Sequence, residues 1–165
     1  MIYYLIASIL IAVAALFART KRAVLAAGIL FYAVQIAAAG LLLWGGLYDT
    51  TSAAFFTFDA LGTLFYLLLV VVSMYVFGHS EAYLQGEDLR SYRLYFALLM
   101  LLTTAIAGAY FANNLAVTWI FLEATTLCSA GIIYHRRTAQ ALEAAWKYVF
   151  VCSTGIAMAL SLIHI

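Results

Sequence analysis

Leu115-Ala116-Val117-Thr118-Trp119-Ile120-Phe121-Leu122-Glu123-Ala124-Thr125-Thr126-Leu127-Cys128, running on to Tyr134, decides how this chain folds. It is an apolar run of the roughly 20 residues an α-helix needs to cross about 30 Å of hydrocarbon. Glu123 stands in its middle. At 1.5 Å per residue from Leu115 it lies about 12 Å deep, near the midplane of a bilayer. A carboxylate at that depth costs about 3 kcal/mol on insertion scales. Such a residue either exchanges protons or ions, or is held by a partner inside the protein. Burial raises a carboxyl pKa and a nearby cation lowers it. A group balanced between the two can take up and release a proton near neutral pH.

The rest of the chain agrees with a membrane setting. Of 165 residues, 68% are hydrophobic and 9% charged; soluble domains run at about 45–50% and about 25%. Continuous apolar runs, rather than alternating segments of about ten residues, exclude a β-barrel. The net charge of +1 gives no reason to expect a nucleic-acid partner. Cys128 and Cys152 fall in apolar stretches with no metal-ligand spacing and read as packed free thiols. There is no proline to kink a helix.

The expected fold is all-α, a polytopic transmembrane helical bundle forming one domain over residues 1–165. Six spans are expected: 2–18 (near the lower length limit), 23–47, 56–77, 92–112, 115–134 and 142–165. The connections are 19–22, a small polar turn at 48–52, a loop at 78–91, the tight turn Asn113-Asn114, and 135–141. The first run lacks a positive segment ahead of it, and Arg19, Lys21 and Arg22 follow it. That order suits an uncleaved span with its N-terminus outside. With that orientation Arg19, Lys21, Arg22, Arg90, Arg93, Arg136 and Arg137 all fall on the inner side, and the outward connections hold no Lys or Arg. The remaining basic residue, Lys147, is inside the sixth span. The chain stops in mid-span, which raises the expectation of truncation. The odd His164 raises the suspicion that residues 160–165 are a non-native end.

Lys147 is the natural candidate to face Glu123, because the fifth and sixth spans are joined by a short link and should be antiparallel neighbours. A carboxylate facing an amine couples the protonation of each to the position of the other. Glu143 is a rival, one helical turn before Lys147 and on the same face; snorkelling to the interface is another fate for the lysine. Asp59 reads as the cap of the third helix, with a place at a proton exit as the alternative. His79 is expected in the inner loop, solvated, and His135 among the arginines as a surface anchor. Thr125, Thr126, Ser129, Ser153 and Thr154 either line a water path or, as is commoner, bond their own helix or a neighbour. Gly108 and Gly131 should permit close helix packing. No nucleotide loop, haem ligand pair or catalytic triad is present in the sequence.

Three segments taken together carry a specific resemblance: Phe58-Asp59-Ala60-Leu61, then Asn114 through Leu127, then Leu142-Glu143-Ala144-Ala145-Trp146-Lys147-Tyr148. They resemble the antiporter-like, proton-translocating membrane subunits of respiratory complex I and membrane-bound [NiFe] hydrogenases, most of all the hydrogenase-4 F subunit. The resemblance covers spans three to six; the first two match only in hydropathy. It implies that this chain is the first part of a protein of about fourteen helices. It places Glu123 and Lys147 on a proton-translocating axis, with Glu143 and Asp59 carried along as candidate translocation residues. It implies no cofactor in this chain, with iron–sulfur, nickel–iron or flavin groups in partner subunits. The implied partners are other membrane subunits, peripheral redox subunits and the lipid bilayer, and the implied location is a bacterial or archaeal plasma membrane. The alternatives are a subunit of a multi-subunit sodium/proton antiporter, or a purely structural membrane subunit in which Glu123 is a packing hydrogen bond.

Overall fold

A computed structural model describes residues 2–44 and 55–163. The turn expected at 48–52, the end of the second span and the last two residues lie outside them. The described residues form six helices: α1 (Ile2–Leu16), α2 (Lys21–Leu43), α3 (Ala60–Tyr83), α4 (Leu89–Phe111), α5 (Leu115–Ile133) and α6 (Ala139–Ile163). A single 3-10 turn, Tyr134–Arg136, follows α5. The fold is the all-α bundle that the apolar runs imply. Helices α2 to α6 are long and apolar enough to cross a membrane. Helix α1, with 15 residues, reaches about 22 Å and falls short of a full hydrocarbon crossing.

Local chemistry sets the helix starts. Thr20 Oγ1 accepts from Ala23 N at 3.2 Å, Asp59 Oδ1 from Leu61 N at 3.2 Å, Asn114 Oδ1 from Ala116 N at 2.9 Å, and Thr138 Oγ1 from Ala141 N at 3.1 Å. Each occupies a backbone N–H of the first turn, where i→i−4 carbonyl partners are missing; Ala23 N is shared with Thr20 O at 3.1 Å. Asp59 explains why α3 begins at Ala60 rather than near 56. The residues before it are extended and pair with the end of α4. Thr57 N donates to Phe111 O and Asn113 N to Phe55 O, both at 2.9 Å, setting Phe56 opposite Ala112.

The loop expected at 78–91 is shorter than its polarity suggests. Helix α3 runs on through Gly78, His79 and Ser80 to Tyr83, and α4 starts at Leu89. Polar residues at a membrane surface do not stop a helix; they only mark where it leaves the lipid. The turn itself needs Gly86, whose φ of 121° is open to glycine at little cost. His79 is therefore on a helix and exposed, with its ring 6.4 Å from that of Tyr75.

Helix α4 is the centre of the bundle. It packs against α1, α2, α3 and α5, whereas α6 touches α5 and the turn before it. Of α4's most apolar stretch 56% is buried inside the bundle, against 6% for α6. Two apolar clusters share α4. One joins Ala12, Ala15, Phe31 and Leu84 to Phe96 and Met100. The other joins Leu5, Leu42, Tyr66 and Val70 to Ala107 and Phe111.

Gly108 and Gly131 serve close packing, as expected. A Cβ on Gly108 would lie 2.4 Å from the Phe121 ring, and one on Gly131 would lie 2.7 Å from Leu98 Cδ1. Gly108→Ala is expected to destabilise the α4–α5 contact by about 1–3 kcal/mol through overpacking. A thermal shift in detergent measures it, and an unchanged midpoint would count against this packing.

The links α1–α2, α3–α4 and α5–α6 meet at one end of the bundle. Arg93 Nη1 donates to Ala18 O at 3.1 Å, and Lys21 Nζ donates to Glu87 O at 2.8 Å. Arg136 Nε lies 3.6 Å from Glu87 Oε1. The basic residues that the sequence assigns to one side are thus gathered at one end.

Candidate functional site

Helix α5 carries Glu123 half-buried on its side toward α6. Ser153 Oγ donates to Glu123 Oε1 at 2.6 Å, joining the two helices at mid-span. The other hydroxyls nearby turn inward on their own helices. Thr125 Oγ1 and Thr126 Oγ1 donate to Leu122 O at 2.7 and 3.2 Å, and Thr154 Oγ1 donates to Phe150 O at 2.6 Å. Ser153 alone among these crosses to a neighbouring helix.

Lys147 goes to the rival carboxylate. Its Nζ donates to Glu143 Oε1 at 2.5 Å. Both side chains are open, at 70% and 65% exposure. Ser153 stands six residues beyond Lys147, so the lysine is displaced by about 9 Å along α6 from the point that meets Glu123. Among the described residues no ion pair joins Glu123 to Lys147. Charge exchange between them needs water or a released Lys147 side chain. Bringing an i,i+4 pair together costs little, because both residues are already fixed on one helix.

Asp59 is exposed and caps α3. Beyond the Leu61 bond, its carbonyl accepts from Thr63 Oγ1 at 2.8 Å and Thr63 N at 2.9 Å. Asp59→Ala is expected to cost about 1 kcal/mol through loss of the cap, with Asp59→Asn near wild type. A pair of unfolding curves tests this, and equal losses in both variants would assign Asp59 a role that needs its charge.

His135 is not a surface anchor. It is only 7% exposed, held with Nδ1 2.8 Å from Ile132 O. Its ring meets those of Tyr83 and Tyr95 at 6.2 and 5.4 Å. Arginines beside it in sequence suggested the surface; the 3-10 turn instead sets the imidazole against rings of α3 and α4.

A second polar group lies away from Glu123, and Gln35 is its centre. Gln35 is fully buried in α2. Tyr4 OH and Tyr66 OH both donate to Gln35 Oε1 at 2.6 Å. Among the described residues its Nε2 has no hydrogen-bond partner. This cluster ties α1, α2 and α3 through one amide. A lone glutamine halfway along an apolar span was the available sign, since such residues pair with other helices.

Cys128 and Cys152 are free and half-buried. Among the described residues no three His, Cys, Asp or Glu side chains converge as a metal site would require.

No family model matches the chain, and no solved structure matches it. A curated protein does: the hydrogenase-4 component F homolog of Methylacidiphilum infernorum (isolate V4) is 30% identical over 113 residues, covering 65% of this chain. The chain spans 24% of that relative's length. Together with five helices among the described residues long and apolar enough to cross a bilayer, the match describes a multi-pass membrane protein that is similar, over most of its length, to a hydrogenase-4 component.

Proposed function

We propose that this chain is part of an ion-translocating membrane subunit of a hydrogenase- or complex I-like assembly, and that Glu123 is the group that takes up and releases the ion, most simply a proton. The observation that carries this reading is the Glu123–Ser153 bond: a half-buried carboxylate at mid-span, joined across α5 and α6 to a neutral hydroxyl. A hydroxyl leaves the carboxyl group free to change its charge, where a fixed cation would hold it ionised. Lys147 acts with it as the movable cation, held in reserve by Glu143. Asp59 is proposed for the opposite end, where it caps α3. The similarity to the hydrogenase-4 component supports a place among other membrane and redox subunits. Iron–sulfur, nickel–iron or flavin groups belong, in this proposal, to those partners. The end that gathers the basic residues faces the cytoplasm of a bacterial or archaeal cell, with the N-terminus outside.

The test uses inverted membrane vesicles containing the assembled complex, with Glu123→Gln beside wild type. Loss of acidification with the complex intact supports translocation at Glu123. Acidification at the wild-type rate leaves only the structural reading, in which Glu123 holds two helices together. Uptake that follows sodium rather than protons would transfer the chain to the sodium/proton antiporter class.

A further inference from the structure

A cavity of about 670 Å³ opens at the end of the bundle where the three basic links meet. It lies outside the Glu123 site, and nothing in the proposed translocation uses it. Arg90, Arg136 and Arg137 line it. Arg90 and Arg137 are exposed and, among the described residues, make no ion pair. Arg136 is shared weakly with Glu87 at 3.6 Å. Ser91 and Thr138 add hydroxyls. Two carboxylates, Glu87 and Asp88, sit on the same wall and reduce the positive charge without cancelling it. Lys21, bonded to the Glu87 carbonyl at 2.8 Å, adds a further cation next to this wall.

Two further observations point to a ligand. His135 lines the cavity while more than nine-tenths buried, and among the described residues its Nε2 has no hydrogen-bond partner. A buried ring nitrogen left unpaired is costly and calls for a water or a ligand atom. Arg137 holds a left-handed backbone, φ 53°. A glycine would sit there without penalty, whereas other L-residues lose about 1–2 kcal/mol. An arginine kept in that position places a guanidinium at the mouth of the cavity at the expense of backbone comfort.

We propose that this cavity binds a phosphate group, and that its source is the headgroup of an anionic phospholipid. Guanidinium groups match phosphate oxygens with paired N–H donors. The adjoining surface favours a lipid over a soluble phosphate. Leu142 and Trp146, both exposed, follow Thr138 directly on α6, giving acyl chains an apolar face next to the headgroup site. Basic pockets at the cytoplasmic ends of spans are suited to such headgroups.

The experiment is native mass spectrometry of the full-length protein, extracted in mild detergent and offered phosphatidylglycerol or phosphatidylcholine at equal concentration. Preferential retention of phosphatidylglycerol is expected. Arg90→Gln and Arg137→Gly should each reduce it by about tenfold, as loss of a charge-assisted contact implies. Arg137→Gly should leave the melting temperature unchanged or raised, because it relieves the left-handed strain; this separates lost binding from lost folding. Equal retention of the two lipids, or variants that hold phosphatidylglycerol like wild type, would overturn the proposal. Release of the lipid by low-millimolar inorganic phosphate would overturn the lipid source in favour of a soluble phosphate.

Discussion

Glu123→Gln is expected to reduce ion translocation by about tenfold or more while leaving the fold intact, a factor equal to about 1.4 kcal/mol of lost differential stabilisation. Glutamine has the size of glutamate and keeps a carbonyl oxygen for the Ser153 hydroxyl, which now bonds at 2.6 Å. What it cannot do is gain or lose a proton. A structural carboxyl group would tolerate this change, and a translocating one would not. Glu123→Leu is the companion variant. It removes the charge and the acceptor together, so it also tests whether the α5–α6 contact depends on that bond. Hydrogen bonds between helices within a membrane average about 0.6 kcal/mol, so even Leu should assemble. The readouts are acidification of inverted vesicles, electron transfer through the complex, and the amount of complex in the membrane. Full acidification in the Gln variant would sink the translocation reading. Loss of complex in both variants would make Glu123 structural.

Gln35→Leu is expected to give the largest loss of stability of any single substitution discussed, about 2–4 kcal/mol. Two phenols, Tyr4 and Tyr66, give their hydrogens to one amide oxygen. Leucine takes the side-chain acceptor away from both, at about 1–3 kcal/mol for a buried donor left unpaired. Tyr66 OH also lies 3.1 Å from the Gln35 carbonyl, which leaves it a fallback and sets the estimate below the full sum. A double-mutant cycle isolates the interaction. If the network is as drawn, Gln35→Leu combined with Tyr66→Phe should cost less than the two single changes added together. Strict additivity in unfolding measurements would mean the phenol and the amide do not depend on each other. Gln35→Leu should leave ion translocation less affected than stability, because Glu123 lies in a different pair of helices.

How far the sequence could be read depended on whether the deciding force was local. Apolar run length placed α2 to α6, because the bilayer imposes it on each helix separately. Asp59 was legible as a helix start for the same reason: a cap needs only its own first turn. Gly108 and Gly131 were legible because a missing side chain among large ones has few other uses. The basic residues showed which links share an end. The failures were tertiary. The tail of α3 looked like loop because it is polar, yet Leu84 and Ser80 are buried against α4. His135 looked like a surface anchor because its neighbours are arginines, yet rings from two other helices enclose it. The site was legible by halves. Glu123 stood out from its surroundings, but its partner Ser153 was one hydroxyl among five, and only the rotation of α6 selects it. Lys147 had two carboxylates in prospect, and the one on its own helix holds it.

The placement of α4 also bears on how the chain is made. Helix α1 leaves the ribosome well before α4, yet it rests on it: Ala12 and Ala15 share a core with Phe96 and Met100, and Arg93 reaches back to Ala18. α1 is also the shortest helix, so lipid alone holds it least well. Until α4 is synthesised, the first helix lacks a principal contact and must be kept in the membrane by α2 or by the insertion machinery. A nascent chain halted before residue 89 should therefore keep α1 open to labelling from the lipid or the aqueous side. Release of α4 should close it, making the fourth helix the moment at which the bundle becomes a folded object.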